Sequence, residues 1–300
     1  MSDIHLNFNR TRRPRYLVFT SAGDNTSIRH WLSGPRDFDL WITYYGDDGD
    51  RYKQYCEIYN MRKAGKFQNL AFVYERYPEV LNQYDAIFVA DDDMILSASS
   101  INRLFRIREE HDLWLLQPAF DPSGIASHPV TMAQPFSYLR YTNFVECGCP
   151  LFRKDKLDGF MREYDSSLVG TGIDFWYMST LGEGIERKVA VVDAVRCVNP
   201  GRWIKGGERE IDLIEDRTRR GSAWAAKKKQ LGLPADNPEL VQFGRIRKPL
   251  SLGLISNSLR LLFVRLMTWF VRIPAVKLLA KSFLTRTIWR PTDGRPGVDR

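Results

Sequence analysis

The chain has 300 residues, 44% hydrophobic and 27% charged. This is the balance of an ordinary globular protein with one large domain, or one domain and an appendage, and room for a sizeable core. The formal net charge is +8, but residues 245–300 hold 12 Lys/Arg against Asp293 and Asp299, so the other 244 residues, with 32 basic and 34 acidic side chains, are nearly neutral. A nucleic-acid-binding body is therefore not implied, whereas a tail that seeks an anionic surface is.

The cysteines are Cys56, Cys147, Cys149 and Cys197. With no C-x-x-C and no His-rich partner, a zinc site is not expected. The N-terminal stretch MSDIHLNFNRTRRPR has no apolar core of a secretory signal, and few cysteines fit a reducing compartment. A cytoplasmic location follows as an expectation.

In chain order, "RYLVFTSAGDN" (15–25) reads as a strand closing in a small, polar loop. "FDLWITYYGDDGD" (38–50) repeats that pattern, residues 67–83 can form a helix, and "YDAIFVADDDM" (84–94) predicts a third strand. Ser97, Ser99 and Ser100 offer caps to a helix with Ile101, Leu104 and Phe105 on its apolar face. "DLWLLQPAF" (112–120) predicts a fourth strand. Residues 123–152, rich in proline, aromatic and polar side chains, read as loops and antiparallel pieces over a site. "SSLVGTGIDFWYMSTLG" (166–182) predicts a glycine turn opening a helix near Asp174, and residues 187–200 another buried strand. Residues 205–245 are charged and partly helical. Strands alternating with helices predict an α/β fold with a mostly parallel twisted sheet, its continuous apolar strands covered by helices on both faces.

From about residue 246 the chain changes character, predicting a body of residues 1–245 and a tail of 246–300. Residues 250–273 contain 15 apolar positions in 24, with Ile255, Leu259, Leu262, Leu266, Trp269 and Ile273 at helical spacing. Arg260, Arg265 and Arg272 interrupt it, and the longest uncharged run, 249–259, is too short to cross a bilayer. Pro274 separates a second segment of the same kind. Leu261, Val264 and Val271 lie off that stripe, so the first helix is apolar nearly all round, and the tail reads as two interfacial helices that meet the inner membrane surface through residues 250–290, with packing on the body or a partner, or a true span, as the alternatives.

Asp91, Asp92 and Asp93 end the apolar run "FVADDDMILS". In a continuing strand Asp91 and Asp93 share one face and Asp92 the other. Ligands of open α/β sheets bind beyond the carboxyl ends of strands, where two carboxylates make a hard-oxygen site for Mg2+ or Mn2+. The other reading is an acidic turn that caps the next helix through its dipole.

A strand ending in D-x-D after a βαβ half resembles a GT-A-type glycosyltransferase. More closely the chain resembles the glycosyltransferase family filed as domain of unknown function 707. The matching stretches, in order, are "SAGDN" (21–25), "FDLWITYYGD" (38–47), "KFQNL" (66–70), "YDAIFVADDDM" (84–94), "SINRLF" (100–105), "QPAF" (117–120), "IASHP" (125–129), "RYTNFVE" (140–146), "GIDFWY" (172–177) and "VAVVDAV" (189–195). They span roughly residues 15–200.

The resemblance implies that Asp91 and Asp93 hold a divalent metal and, with Asp92, the diphosphate of a nucleotide sugar. It implies that the loops Ser21, Ala22, Gly23, Asp24 and Tyr45, Gly46, Asp47 line the nucleotide, with Lys63 or Lys66 approaching the diphosphate. Asp174 becomes the base that takes the acceptor proton. His128, Asn143 and Glu146 become candidates for sugar or acceptor, with Arg140 and Tyr141 on the same surface. Each of these residues also has an ordinary structural reading as turn, helix-terminal or solvated side chain. One departure stands out: where the related family has a metal-binding His, this chain reads "VRCVNPGRW", with Asn199 at that place. Arg202 and Lys205 follow and offer a cationic clamp on the diphosphate.

The expected function is metal-dependent transfer of a sugar from a nucleotide-diphosphate donor to a glycan or lipid-linked saccharide. The alternative is a catalytically weak or inactive nucleotide- or glycan-binding assembly protein of the same fold. A phosphatase or phosphotransferase built on "DDDMI" would need a nucleophilic Asp after the first strand and a later acidic pair, which this order of elements does not provide.

Overall fold

The computed structural model describes residues 4–8, 15–200 and 216–247, and in the tail 259, 261–263 and 266. Among these residues the strands are β1 (His5–Leu6), β2 (Tyr16–Ala22), β3 (Asp39–Tyr44), β4 (Ile58–Met61), β5 (Ala86–Val89), β6 (Leu115–Phe120), β7 (Ser137–Thr142), β8 (Leu151–Arg153), β9 (Val189–Cys197) and β10 (Gln242–Arg247). The helices are α1 (Ile28–Trp31), α2 (Lys66–Arg76), α3 (Pro78–Leu81), α4 (Ala98–Glu110), α5 (Lys154–Glu163), α6 (Ile173–Ser179) and α7 (Arg217–Gln230).

One mixed sheet runs in the order β1-β4-β3-β2-β5-β8-β6-β9-β7-β10. The β4-β3-β2-β5 half is parallel, as is the β6–β9 pair. β8 enters antiparallel between β5 and β6, and β7 antiparallel between β9 and β10. The two strands drawn from the loop-like 123–152 stretch thus insert into the sheet and also carry chain across its top. Alternate strand residues feed two cores. Val18, Leu40, Ile42, Phe88 and Leu116 meet Ile101, Leu104 and Phe105 of α4. Leu17, Phe19, Trp41, Ile87 and Leu115 meet α2, α5 and α6 on the other face. Both faces are covered, which is why these strands read as unbroken apolar runs.

The expected helix over 67–83 is two helices. Pro78 cannot extend α2, and it starts α3 at the first turn, where a missing N–H costs nothing. β4 was not expected; "IYNM" is short, and its Asn60 interrupts the apolar run. That amide is inside because its oxygen accepts from Trp41 Nε1 (2.8 Å) and Thr43 Oγ1 (2.9 Å) on β3. β10 was also missed. Its exposed "QFGRIR" has no apolar run and is ordered by pairing with β7.

An aromatic wall fixes the helices on the second face. Phe67 of α2 meets Phe160 of α5 and Tyr177 of α6, with ring centroids 6.0 and 6.2 Å apart, and Phe160 meets Trp176 edge-on at 5.8 Å. Each such pair contributes about 0.5–1.5 kcal/mol beyond the area it buries. Because Phe67 adjoins Lys66, and Trp176 and Tyr177 follow Asp174, this packing sets two charged side chains on one wall.

Candidate functional site

The three aspartates are not a strand extension. β5 ends at Val89, and Met94 N donates to Asp91 O (3.3 Å) across a turn, so strand alternation does not govern where they point. Nor do they cap the next helix: Ser97 does that, its Oγ accepting from Ser100 N at 3.2 Å. Instead the first two reach in different directions. Asp92 Oδ2 accepts from Gly23 N (3.0 Å), and Asp92 O accepts from Ser27 N (2.7 Å), tying the turn to the loop after β2. Asp91 pairs with Lys66 at the start of α2, Nζ to Oδ1 2.7 Å.

Lys66 is not a solvated helix charge. Its side chain is 10% exposed, and Nζ also donates to Cys147 O (2.7 Å), Gly148 O (3.2 Å) and Val89 O (3.3 Å). One ammonium thereby joins α2, the end of β5, the 147–148 segment and Asp91. Burying a Lys is tolerable only with this kind of satisfaction. Sequence had no signal for it, because the partners are backbone carbonyls about 20 and 80 residues away.

The nucleotide-loop candidates divide. Ser21 and Ala22 are buried: Ser21 Oγ accepts from Asn69 Nδ2 (2.8 Å), and Ala22 O accepts from Tyr45 N (2.9 Å). Gly23 is buried as well, and Asp24 is the first exposed residue of this loop. A Cβ on Gly23 would lie 2.8 Å from the Tyr45 ring, so a larger residue there would have to displace that ring from between the two loops. Asp24 accepts from the Tyr44 hydroxyl and lies 3.8 Å from Arg51, and Gly46 packs against both Tyr44 and Asp24. Asp47 is solvated and pairs with Lys63 (2.6 Å), which holds its carboxyl below the usual range. The polar rim of these loops and the Asp91–Lys66 pair thus adjoin at the strand ends.

A second group gathers on the α6 side. Gly172, with φ +86°, opens α6, and a Cβ there would lie 2.2 Å from the Trp224 ring of α7. This turn buries Asp174 in the first helical turn, Oδ1 accepting from Phe175 N (3.0 Å). Burial pushes the Asp174 carboxyl up to about 6, against the opposing pull of His128 and the Phe175 N–H. Glu146 is buried and bonded, its Oε1 accepting from His128 N (3.0 Å) and Thr131 Oγ1 (2.6 Å). His128 Nδ1 lies 3.5 Å from Glu146 Oε1, too far for a well-formed hydrogen bond, and makes no other. The Glu146 carboxylate still raises the imidazole above its usual value, with Asp174 adding to the effect. His128 stands edge-on to Phe144 (4.5 Å) and Phe175 (6.2 Å), and Phe175 stacks on Trp224 (6.3 Å).

Cys147 joins the two groups: its carbonyl holds Lys66, and its buried thiol, pushed well up by burial, feels both Asp174 and Asp91. Two candidates serve the scaffold instead. Arg140, expected on the acceptor surface, is fully buried. It pairs with Asp193 (2.8 Å) and donates to Val130 O (2.5 Å) and Met132 O (2.7 Å), clamping the turn that carries His128. The Asn143 amide donates to Glu239 O (2.7 Å) and accepts from Val241 N (2.8 Å), holding the entry to β10.

Asn199 lies beside the aspartate turn. An antiparallel bridge pairs Ile95 with Val198, and Ile125 N donates to Asn199 O (2.8 Å). Asp91, Asp93 and Asn199 carry side-chain oxygens of the hard type that Mg2+ or Mn2+ takes. Among the described residues, however, no three His, Cys, Asp or Glu side chains stand close enough to hold an ion by themselves, and one oxygen of Asp91 already serves Lys66. Arg202 and Lys205 lie outside the described residues. A groove of about 650 Å³ lies between α2, α3 and α5, lined by Tyr74, Asn82, Asp158 and Arg162 among others; none of the candidate residues lines it.

No family model matches the chain, and no curated protein matches it. Among solved structures it is similar to residues 1–349 of S. aureus TarS, at 10% identity over 70% of this chain and 69% of that one, with a TM-score of 0.44. The same TarS segment in complex with UDP-GlcNAc gives 10% identity, 71% of each chain and a TM-score of 0.41. The chain is also similar to the mannosyltransferase PcManGT of Pyrobaculum calidifontis in complex with GDP-Man and Mn2+, at 11% identity over 94% of this chain and 82% of that one, with a TM-score of 0.44. Likeness at this level carries no argument about residues, donor or metal.

Proposed function

We propose that the chain is a glycosyltransferase of the GT-A type that moves a sugar from a nucleoside-diphosphate donor to an acceptor hydroxyl, with Asp174 as the base. The observation that carries this reading is a buried carboxyl raised to about 6, on the wall that also holds the Asp91–Lys66 pair. A base poised near neutrality beside a cation-bearing strand end suits attack on one side and departure of an anion on the other.

In the reaction the acceptor oxygen bonds to the anomeric carbon while the bond from that carbon to the diphosphate oxygen breaks. The diphosphate leaves with the electron pair, and the acceptor proton passes to Asp174. Glu146 and His128 keep Asp174 in a charged, hydrogen-bonding neighbourhood, and the aromatic edges of Phe144 and Phe175 exclude water beside it. Gly23, Asp24, Gly46 and Asp47 offer backbone and carboxylate partners to ribose and base. Lys66 fixes the Asp91 rotamer. A divalent ion, when bound, would be held by Asp91 and Asp93 with Asn199, and would supply positive charge to the leaving diphosphate.

The test is a thermal-shift screen of uridine, guanosine and other nucleoside-diphosphate sugars with and without Mn2+, since a ligand stabilises by RT ln(1 + [L]/Kd). The reading expects at least one donor to raise the melting temperature and Asp91→Asn to weaken that shift. A protein that binds a donor but never releases nucleoside diphosphate would instead be a nucleotide- or glycan-binding assembly protein, the reading favoured by Asn199 in place of His.

A further inference from the structure

We propose that the tail docks this chain on an anionic lipid surface, on the side of the sheet that carries Asp174, so that the acceptor meets the site from that surface. The last clause rests on the transfer reading above; the docking does not. Leu259, Leu261–Phe263 and Leu266 are helical, and their burial is one-sided. Leu261 is 2% exposed and clusters with Ala119, Ala133 and Val191. Leu259, Leu262, Phe263 and Leu266 are 58, 46, 56 and 54% exposed. Those four follow i, i+3, i+4, i+7 spacing, a single helical stripe, and Leu261 falls nearly opposite it. Among the described residues of this helix, Leu261 packs on the body while the other four side chains form an apolar stripe turned outward, the reverse of what packing on the body alone would favour.

The anchor lies on the site's face. Val191 alternates in register with Val189, which packs in the core shared with α6. Ala119 alternates with Gln117, whose Oε1 accepts from Glu146 N (2.6 Å), and Ala133 follows the turn carrying His128. The edge strand β10 and the residue before it also expose apolar and basic side chains, Val241 and Phe243 at 38 and 43% and Arg245 and Arg247 beside them.

Charge selects the occupant. Residues 245–300 hold 12 Lys/Arg against two Asp, with Arg260 and Arg265 inside the apolar stretch. Anionic lipid attracts such a segment, whereas a second copy of the same basic surface repels it. Arg260, Arg265 and Arg272 interrupt the apolar stretch, and its longest uncharged run, 249–259, is too short to cross a bilayer, so the contact we infer is interfacial.

The full chain is sedimented with phosphatidylcholine vesicles with and without phosphatidylglycerol, at low and high salt, and its UDP and GDP thermal shifts are read separately in solution. We expect binding that needs phosphatidylglycerol and weakens with salt. Leu262→Asp with Phe263→Asp should lower vesicle affinity by roughly tenfold or more while leaving the circular dichroism and nucleotide shifts unchanged. Arg245→Glu with Arg247→Glu should weaken binding less. No preference for phosphatidylglycerol, or full binding by the Leu262/Phe263 variant, overturns the proposal. So does a concentration-dependent dimer that this variant dissociates, since the stripe would then serve a second copy. Vesicle binding without any nucleotide shift leaves the docking standing and sinks the transfer reading instead.

Discussion

At the scale of single residues the two charged groups of the site ask for opposite treatments. Asp174 is held protonated to a higher pH than an ordinary carboxyl. The folded chain therefore keeps a proton that the unfolded chain loses between about pH 4 and pH 6, and stability contributed by that proton falls as pH rises through this window. Asp174→Asn should flatten the decline and stabilise the protein at pH 8 by on the order of 2 kcal/mol, read as a higher melting temperature. A variant less stable than wild type at pH 8 would mean that the carboxylate is satisfied after all. The raised His128 acts in the same direction, its contribution being lost as pH rises through its folded value. Lys66 is the contrary case. Lys66→Met strands Asp91 beside three carbonyls that lose their donor. Because Asp91 is 42% exposed and water can solvate it, the cost is mainly that of the carbonyls left without a donor, and denaturant unfolding should show a loss of roughly 1–3 kcal/mol. A loss under about 1 kcal/mol would show the ammonium to be dispensable to the fold.

At the scale of elements, the site depends on turns and clamps more than on strands. Gly172 has both a left-handed backbone and a tryptophan ring against its α-carbon. Gly172→Ala should cost on the order of 1–3 kcal/mol and loosen α7 from α6, visible as a change in Trp224 fluorescence. An unshifted spectrum with unchanged stability would separate α7 from the site. The Arg140–Asp193 pair holds the 130–134 segment, with Gln134 N also donating to Asp193 (2.7 Å), so its effect on His128 is indirect.

Much of this scale was legible beforehand. β2, β3, β5, β6 and β9 declared themselves as apolar runs because both faces of each are covered, and the Gly170–Gly172 turn before Asp174 declared α6. What escaped was whatever depends on distant partners. β4 hides behind a buried Asn60 whose bonds lie on β3, and β10 is ordered by β7 alone. Arg140 reads as a surface cation until Asp193, on another strand, is set beside it. The aspartate run was legible as a site but not in its geometry, since a turn replaces the strand and one carboxylate is committed to Lys66.

At the scale of the whole molecule, the sheet brings chemistry from both halves of the chain to one end. The loops after β2 and β3 meet the turn after β5, and β7, β8 and their connection bring Glu146 and Cys147 across to α2 and α6. Leu261, in the basic tail, packs with Ala119, Ala133 and Val191 on the sheet face that α6 also covers. Under the transfer reading proposed above, the first half would build the donor side and the second the acceptor side, with Asp174 beside the acceptor hydroxyl whose proton it takes.

The central claim is tested most directly by measuring nucleoside-diphosphate release from a bound nucleotide sugar across pH, for wild type and Asp174→Asn. The account predicts an acid limb with a midpoint near 6 for wild type. For Asp174→Asn it predicts donor binding within a few-fold of wild type and turnover lowered by roughly 10²–10⁴-fold. Equal turnover by the variant, or no nucleotide sugar bound with or without Mn2+, would contradict it.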